Sequence, residues 1–203
     1  MSSSPWLIVG LGNPGPKYAG NRHNIGYLVV EELASRAAAN FQTQNLRSAK
    51  PQVAVGRAGI LPGGAPGPRV VLVKTGTYMN VSGGPVSAVA QYYGIPPEQI
   101  IAVHDELDIP FAKLRLKSGG GEGGHNGLRS MSAALGTKNY LRVRVGVDRP
   151  SGRQDPADYV LSDFNSTERK ELPFLIHDAA DAVELIITEG LEKAQLKVHT
   201  ANN

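Results

Sequence analysis

The stretch Gly10-Leu11-Gly12-Asn13-Pro14-Gly15-Pro16-Lys17-Tyr18-Ala19-Gly20-Asn21-Arg22-His23-Asn24-Ile25-Gly26 constrains the fold more than any other part of the chain. It follows a short apolar run, Trp6-Leu7-Ile8-Val9, and precedes an apolar repeat of helical spacing at Ile25, Leu28, Val29 and Leu33. It therefore reads as a strand-to-helix connection. Its glycines permit backbone shapes closed to other residues and its prolines stiffen it, so its polar side chains are expected to hold fixed directions. Asn24 is the natural N-cap of the helix. The connection also carries Asn13, Tyr18, Asn21, Arg22 and His23, more chemistry than a cap requires, at the place where open α/β sheets bind ligands. It is read as the loop of an active site.

The rest of the chain repeats the pattern. Val70-Val71-Leu72-Val73 and Ile100-Ile101-Ala102-Val103 are all-apolar runs, the mark of strands buried on both faces. The first delivers Lys74-Thr75-Gly76-Thr77-Tyr78-Met79-Asn80 and the second His104-Asp105-Glu106-Leu107-Asp108. In a parallel sheet those polar ends gather on one rim. A strand is expected from Val53 to Gly59, followed by a Pro/Gly turn at 61–68, and a helix after Ser82 that stops at Gly94 and Pro96. Lys113, Arg115 and Lys117 alternate, as do Arg142 and Arg144, so each set is expected to line one face of a strand. Between them, residues 118–127 form a glycine-rich loop ending in His125-Asn126-Gly127, read as a mobile lid. A closing helix carries Leu172, Leu175, Ile176, Ala179, Val183, Ile186 and Ile187 on one stripe, with Pro173 expected to displace its start or bend it. The expected fold is α/β: one domain over residues 1–190 with a twisted, mixed, mostly parallel sheet flanked by helices, then a polar, frayed tail over 191–203.

Composition removes several chemistries. With no cysteine among 203 residues, disulfides, thiolate nucleophiles and zinc ribbons are excluded, and a cytoplasmic setting is expected. Met1-Ser2-Ser3-Ser4-Pro5 lacks the character of a secretory signal, and no apolar run approaches membrane-spanning length. The net charge of +3 permits a polyanionic partner without requiring one.

Gly10-Leu11-Gly12-Asn13-Pro14-Gly15 matches the G-x-G-x-x-G dinucleotide fingerprint, but the match stops there. Pro14 and Pro16 remove amides that would hold a pyrophosphate, and the helix starts several residues too late. No nucleophile elbow and no P-loop occur. The histidines 23, 104, 125, 177 and 199 show no metal-ligand spacing, so no metal or cofactor is expected. What remains is an imidazole with a carboxylate: His23 as a base acting on water, oriented by Asp105, with Asp108 as the second candidate acid. The amides of Asn13 and Asn80 are placed to donate to a carbonyl oxygen or its oxyanion.

Gly10-Leu11-Gly12-Asn13-Pro14-Gly15, Arg22-His23-Asn24, Thr77-Tyr78-Met79-Asn80, His104-Asp105-Glu106-Leu107-Asp108 and Gly124-His125-Asn126-Gly127 together strongly resemble the motifs of the bacterial-type peptidyl-tRNA hydrolases, in that family's order. The resemblance implies a monomeric enzyme without metal or cofactor that hydrolyses the ester between a peptide, or N-acylated amino acid, and the acceptor end of tRNA. It implies His23 as the base, Asp105 as its partner, and Asn13 as a binder of the peptide beside the ester. Tyr18, Tyr78, Asn80 and Asn126 would contact the acceptor end, and Arg115, Lys117, Arg129 and Arg144 match basic positions near the RNA. Thr75 and Glu122 depart from the family pattern, where Pro and His are common; Glu122 is expected to weaken or re-aim the lid's contact with phosphates. An RNA-binding module on the same fold is the rival reading, and the joint presence of His23, Asp105 and Asn13 speaks for the hydrolase.

Overall fold

The strand that opens the chain sits at the middle of the sheet, and everything else is arranged about it. The structure, a computed structural model, describes residues 4–202; residues 1–3, the start of the N-terminal stretch read above, and residue 203, the end of the expected tail, lie outside the described residues. In chain order the elements are β1 (Trp6–Gly10), α1 (Ile25–Arg36), β2 (Gln42–Thr43), β3 (Gln52–Arg57), β4 (Arg69–Lys74), α2 (Gly83–Tyr93), β5 (Ile100–Glu106), β6 (Leu114–Ser118), α3 (Asn126–Leu135), β7 (Leu141–Gly146), α4 (Pro156–Val160), α5 (Ser166–Glu189) and α6 (Leu191–Ala201).

The sheet order is β2-β3-β4-β1-β5-β7-β6. β4, β1, β5 and β7 are mutually parallel, and only β3 and β6 run against the other strands. This is the mixed α/β sheet the apolar runs predict. Alternation along β1 divides the core: Ile8 packs on one face with residues of α1, α5 and α6, whereas Leu7 and Val9 pack on the other with residues of α2 and α3. These side chains are fully buried, each worth about 1.5–3 kcal/mol relative to exposure. Because the chain leaves β1 for β4 on one side and later returns to β5 on the other, the crevice past the carboxyl end of β1 is a topological switch point.

Gly10 and Gly26 make that crevice close. A side-chain carbon at Gly26 would lie 2.3 Å from the Val103 carbonyl oxygen, and one at Gly10 2.4 Å from that of Gly26. Only glycine at both positions lets the first turn of α1 rest on the strand ends, which carries His23 to the rim.

Three expectations change. Asn24 holds the N-cap position of α1 but makes no capping bond; its amide instead accepts from Asn13 N and donates to Asn13 O, both at 2.9 Å. α5 starts well before Pro173, at a capping box formed by Asn165 and Glu168, and runs through the proline. The tail expected to fray is α6, with Ala194 and Val198 buried. Its polar side chains serve the edge strand: His199 Nε2 accepts from Leu116 N, Asn202 Oδ1 accepts from Leu114 N, and Gln195 donates to Leu116 O. Satisfying an exposed strand edge in this way replaces a partner strand.

Candidate active site

A cleft of about 440 Å³ opens at the switch point, lined by Asn13, Tyr18, His23, Tyr78, Met79, Asn80, Asp105, Glu106, Leu107, Gly123, Gly124, His125, Asn126, Pro156, Ala157, Val160 and Leu161. Seven residues singled out by sequence meet here: Asn13 from the β1 loop, Tyr18 and His23 from its continuation, Tyr78 and Asn80 after β4, Asp105 on β5, and Asn126 at the start of α3. Five come from beyond the carboxyl ends of the parallel strands β1 and β4, and Asp105 stands near the end of β5, as the polar termini predict.

Asp105 is buried at the floor, and each of its oxygens meets an imidazole. His23 Nδ1 lies 2.8 Å from Oδ2 and 3.0 Å from Oδ1. His125 Nε2 lies 2.8 Å from Oδ1. Burial alone would raise the Asp105 carboxyl pKa, but the two imidazoles outweigh it and hold the group well below the usual carboxylate range. For His23 burial favours the neutral ring, yet the Asp105 charge and hydrogen bond prevail and raise its pKa above 6.5. With Nδ1 committed to the carboxylate, Nε2 is the nitrogen free to take a proton. Asp108, the second candidate acid, is bonded at the surface to Arg149 and takes no part.

The amide of Asn13 is oriented by a bond the sequence does not reveal. Its Oδ1 accepts from Met79 N at 2.7 Å. Its NH₂ is consequently the donor end toward the cleft. Tyr18 and Tyr78 meet edge to face at the rim, ring centres 6.3 Å apart.

His23, Asp105 and His125 bring their ligating atoms within 4.8 Å of one another, which raises the question of a cation. The tautomer of His125 answers it. Its Nδ1 accepts from Gly127 N (3.1 Å) and Leu128 N (3.4 Å), capping α3. The ring proton must then sit on Nε2, so that nitrogen donates to Asp105 and has no lone pair for a metal. The trio is a doubly donated carboxylate, not a three-ligand site.

The basic residues lie outside the cleft. Lys117 and Arg144 line a second cavity of about 240 Å³ under the glycine loop, with His104, Arg142 and Glu122; Glu106 and Gly123 border both spaces. Arg115 faces Arg144 across the β6–β7 ladder, and Arg129 is exposed on α3. Arg142, expected to line one face of its strand with Arg144, is fully buried, stacks on Tyr140, and donates to the carbonyl oxygens of Gly120, Gly121 and Lys138. The glycine loop is therefore fastened from below. Glu122 turns to Lys138 at 3.5 Å. Sequence reasoning missed His125 as the second partner of Asp105, although a histidine placed as N-cap of a short helix was the available signal. It also missed the apolar wall of Pro156, Ala157, Val160 and Leu161, which nothing in that segment's polar composition announces.

The family model described as peptidyl-tRNA hydrolase matches residues 7–203. A peptidyl-tRNA hydrolase of Pseudarthrobacter chlorophenolicus is 63% identical over 196 residues, covering 97% of this chain and 96% of that protein. One from Frankia alni is 55% identical over 195 residues, with 96% and 94% covered. Among solved structures, a peptidyl-tRNA hydrolase complexed with N-propanol has a TM-score of 0.83 at 35% identity, covering 98% of this chain and 96% of that one. The enzyme from Acinetobacter baumannii gives 0.81 at 34%, with 98% and 96% covered.

Proposed function

The chain belongs to the peptidyl-tRNA hydrolase family, and from that premise we propose that its cleft hydrolyses the ester joining a peptide, or an N-acylated amino acid, to the 3′ end of tRNA, with His23 as general base. The observation that carries this reading is the 2.8 Å contact of His23 Nδ1 with Asp105 at the floor of a cleft that also holds the Asn13 amide. Nε2 of His23 takes a proton from water as the water oxygen attacks the ester carbonyl. Asn13 Nδ2 donates to the oxyanion that forms, and collapse expels the ribose oxygen, which receives the proton from Nε2. The products are a carboxylic acid on the peptide, which loses its proton to water, and a hydroxyl on the tRNA. General-base help of this kind is worth about 10² to 10⁴ in rate, and one oxyanion donor about 10² to 10³.

The two sides of the cleft support an assignment of substrate ends. Tyr78, Asn80 and Asn126 receive the acceptor end on the side of the glycine loop, beyond which Arg115, Lys117, Arg129 and Arg144 supply phosphate contacts that position RNA without reading its sequence. The wall of α4 takes the acyl chain. The reading takes the enzyme to act as a monomer, and among the described residues no helix is long and apolar enough to cross a membrane.

The test is release of free tRNA from N-acyl-aminoacyl-tRNA by chelator-treated protein. His23→Ala is expected to lower kcat by about 10² to 10⁴ while tRNA affinity stays within twofold of wild type. Equal inactivity of the two proteins with equal tRNA binding would favour the RNA-binding module instead.

A further inference from the structure

Arg22 precedes His23 in the chain, yet its guanidinium is buried outside the cleft. Nη2 meets Glu168 Oε1 at 2.7 Å, with side-chain exposures of 6% and 11%. Nη1 donates to the carbonyl oxygens of Tyr159 (3.2 Å) and Ser162 (3.4 Å), and the guanidinium carbon lies 4.0 Å from the centre of the Tyr159 ring. Those carbonyls close α4, the helix whose outer residues form the apolar wall of the cleft.

α4 is five residues long, and Pro156, Ala157 and Asp158 are exposed. So short a helix does not hold its own shape in water. What holds its far end is a cation placed where the free carbonyls and the negative end of the dipole lie. The counter-ion is itself anchored, because Glu168 also accepts from Asn165 N in the capping box of α5. The backbone repeats the connection: Arg22 N donates to Ser162 O, Phe164 N donates to Gly20 O, and Asn21 Nδ2 donates to Asp163 Oδ1. The turn that carries the base and the wall that faces the acyl chain are thus two ends of one fastened unit.

We infer that Arg22 is a positioning residue that couples the α4 wall to His23, so that an acyl chain seated on α4 sets the line of attack from the base. The inference rests on the hydrolase reading above. It differs from the plain alternative, in which a buried ion pair serves folding alone. A folding role moves thermal stability and the active fraction; coupling moves kcat per folded molecule and makes changes on α4 depend on Arg22.

The experiment compares wild type, Arg22→Lys, Leu161→Ala and the double variant on N-acetyl-aminoacyl-tRNA and on tRNA carrying an apolar tripeptide. Leu161 is 43% exposed, so its truncation leaves the core intact. Lysine keeps the charge opposite Glu168 but loses the fork and the stack. Arg22→Lys is expected to lower kcat about 10- to 100-fold, the loss that small misplacement of a catalytic group brings, with KM changing less. Leu161→Ala is expected to weaken the tripeptidyl substrate several-fold in wild type and to have little further effect in the Arg22→Lys background, which is non-additivity between coupled sites. Should Arg22→Lys not fold, Glu168→Gln, which keeps an acceptor for the capping box, is expected to act in the same direction. An active wild type with unchanged kcat in the folded variants, or effects that multiply as independent, overturns the inference alone. A wild type that releases no tRNA from either substrate overturns the activity beneath it as well.

Discussion

Asp105 is shared between two imidazoles, and the sharing has a measurable consequence. The amides of Gly127 and Leu128 fix the proton of His125 on Nε2, so Asp105 receives one hydrogen bond from a ring other than that of the proposed base. That bond disperses the negative charge felt by His23. His125→Asn keeps a side chain able to cap α3 but is too short to reach Asp105, so the full charge falls on His23 and its pKa, already raised, rises further. A general base works only when unprotonated, so the acid limb of the kcat profile is expected to move to higher pH, with a plateau roughly tenfold lower for the loss of one charge-assisted bond. His125→Gln, long enough to present an N–H to Asp105, is expected to restore part of both. Measured pH–rate profiles decide the matter; a variant that lowers kcat equally at every pH would show that His125 acts through packing alone. The same pair touches stability with a definite sign. Because the pKa of His23 is raised, its ion pair contributes fully below about 6.5, the unfolded value, and is lost as pH rises through the folded one.

At the scale of elements, α6 is the clearest case of a segment whose role lies in its polar residues. Removing residues 191–203 would uncover Leu114 N and Leu116 N on the edge strand that carries Arg115 and Lys117. His199→Ala alone is expected to cost about 1–3 kcal/mol, the penalty for stranding a partly buried amide, read as a lower urea midpoint with unchanged slope; no change would mean that water serves Leu116 equally well. The difficulty of seeing α6 in the sequence follows from the same fact. Ala194 and Val198 make a stripe too thin to mark a helix, and side chains that bond to a strand elsewhere in the chain look like those that bond to water. The strands were legible for the opposite reason: Leu7–Val9, Val70–Val73 and Ile100–Val103 are buried on both faces, which leaves an uninterrupted apolar signature. The meeting of His23 with Asp105 was legible because parallel strand ends must converge. Where long-range polar bonds decide the outcome, as for Arg22, Arg142 and His125, the sequence names the residue but gives no direction for its side chain.

The molecule as a whole places an uncharged histidine where a charged one would be expensive. His104 is 1% exposed; its Nδ1 donates to the Asp105 carbonyl oxygen, and its Nε2 has no partner beside the cavity lined by Lys117, Arg142 and Arg144. Burial above all lowers its pKa to about 3. The unfolded chain takes up that proton near 6.5, so between the two values the unfolded state binds more protons than the folded one. Stability from this group is therefore complete above about 6.5 and is lost as pH falls toward about 3, at up to about 1.4 kcal/mol per pH unit. His199, whose pKa is also lowered, chiefly by burial, adds to the loss in the same direction. Asp105, held in its charged form by the imidazoles, adds to it only below the ordinary carboxylate pKa, and His23 acts in the opposite sense. The fold should accordingly begin to weaken near pH 6.5, before its carboxylates titrate. Thermal unfolding measured at intervals from pH 7 to pH 4 is expected to show that decline in wild type and a flatter one in His104→Gln, whose side chain cannot be protonated. Parallel curves would mean that the buried ring is protonated as readily in the folded protein as in the unfolded chain, and the acid sensitivity would then have to come from the carboxylates instead.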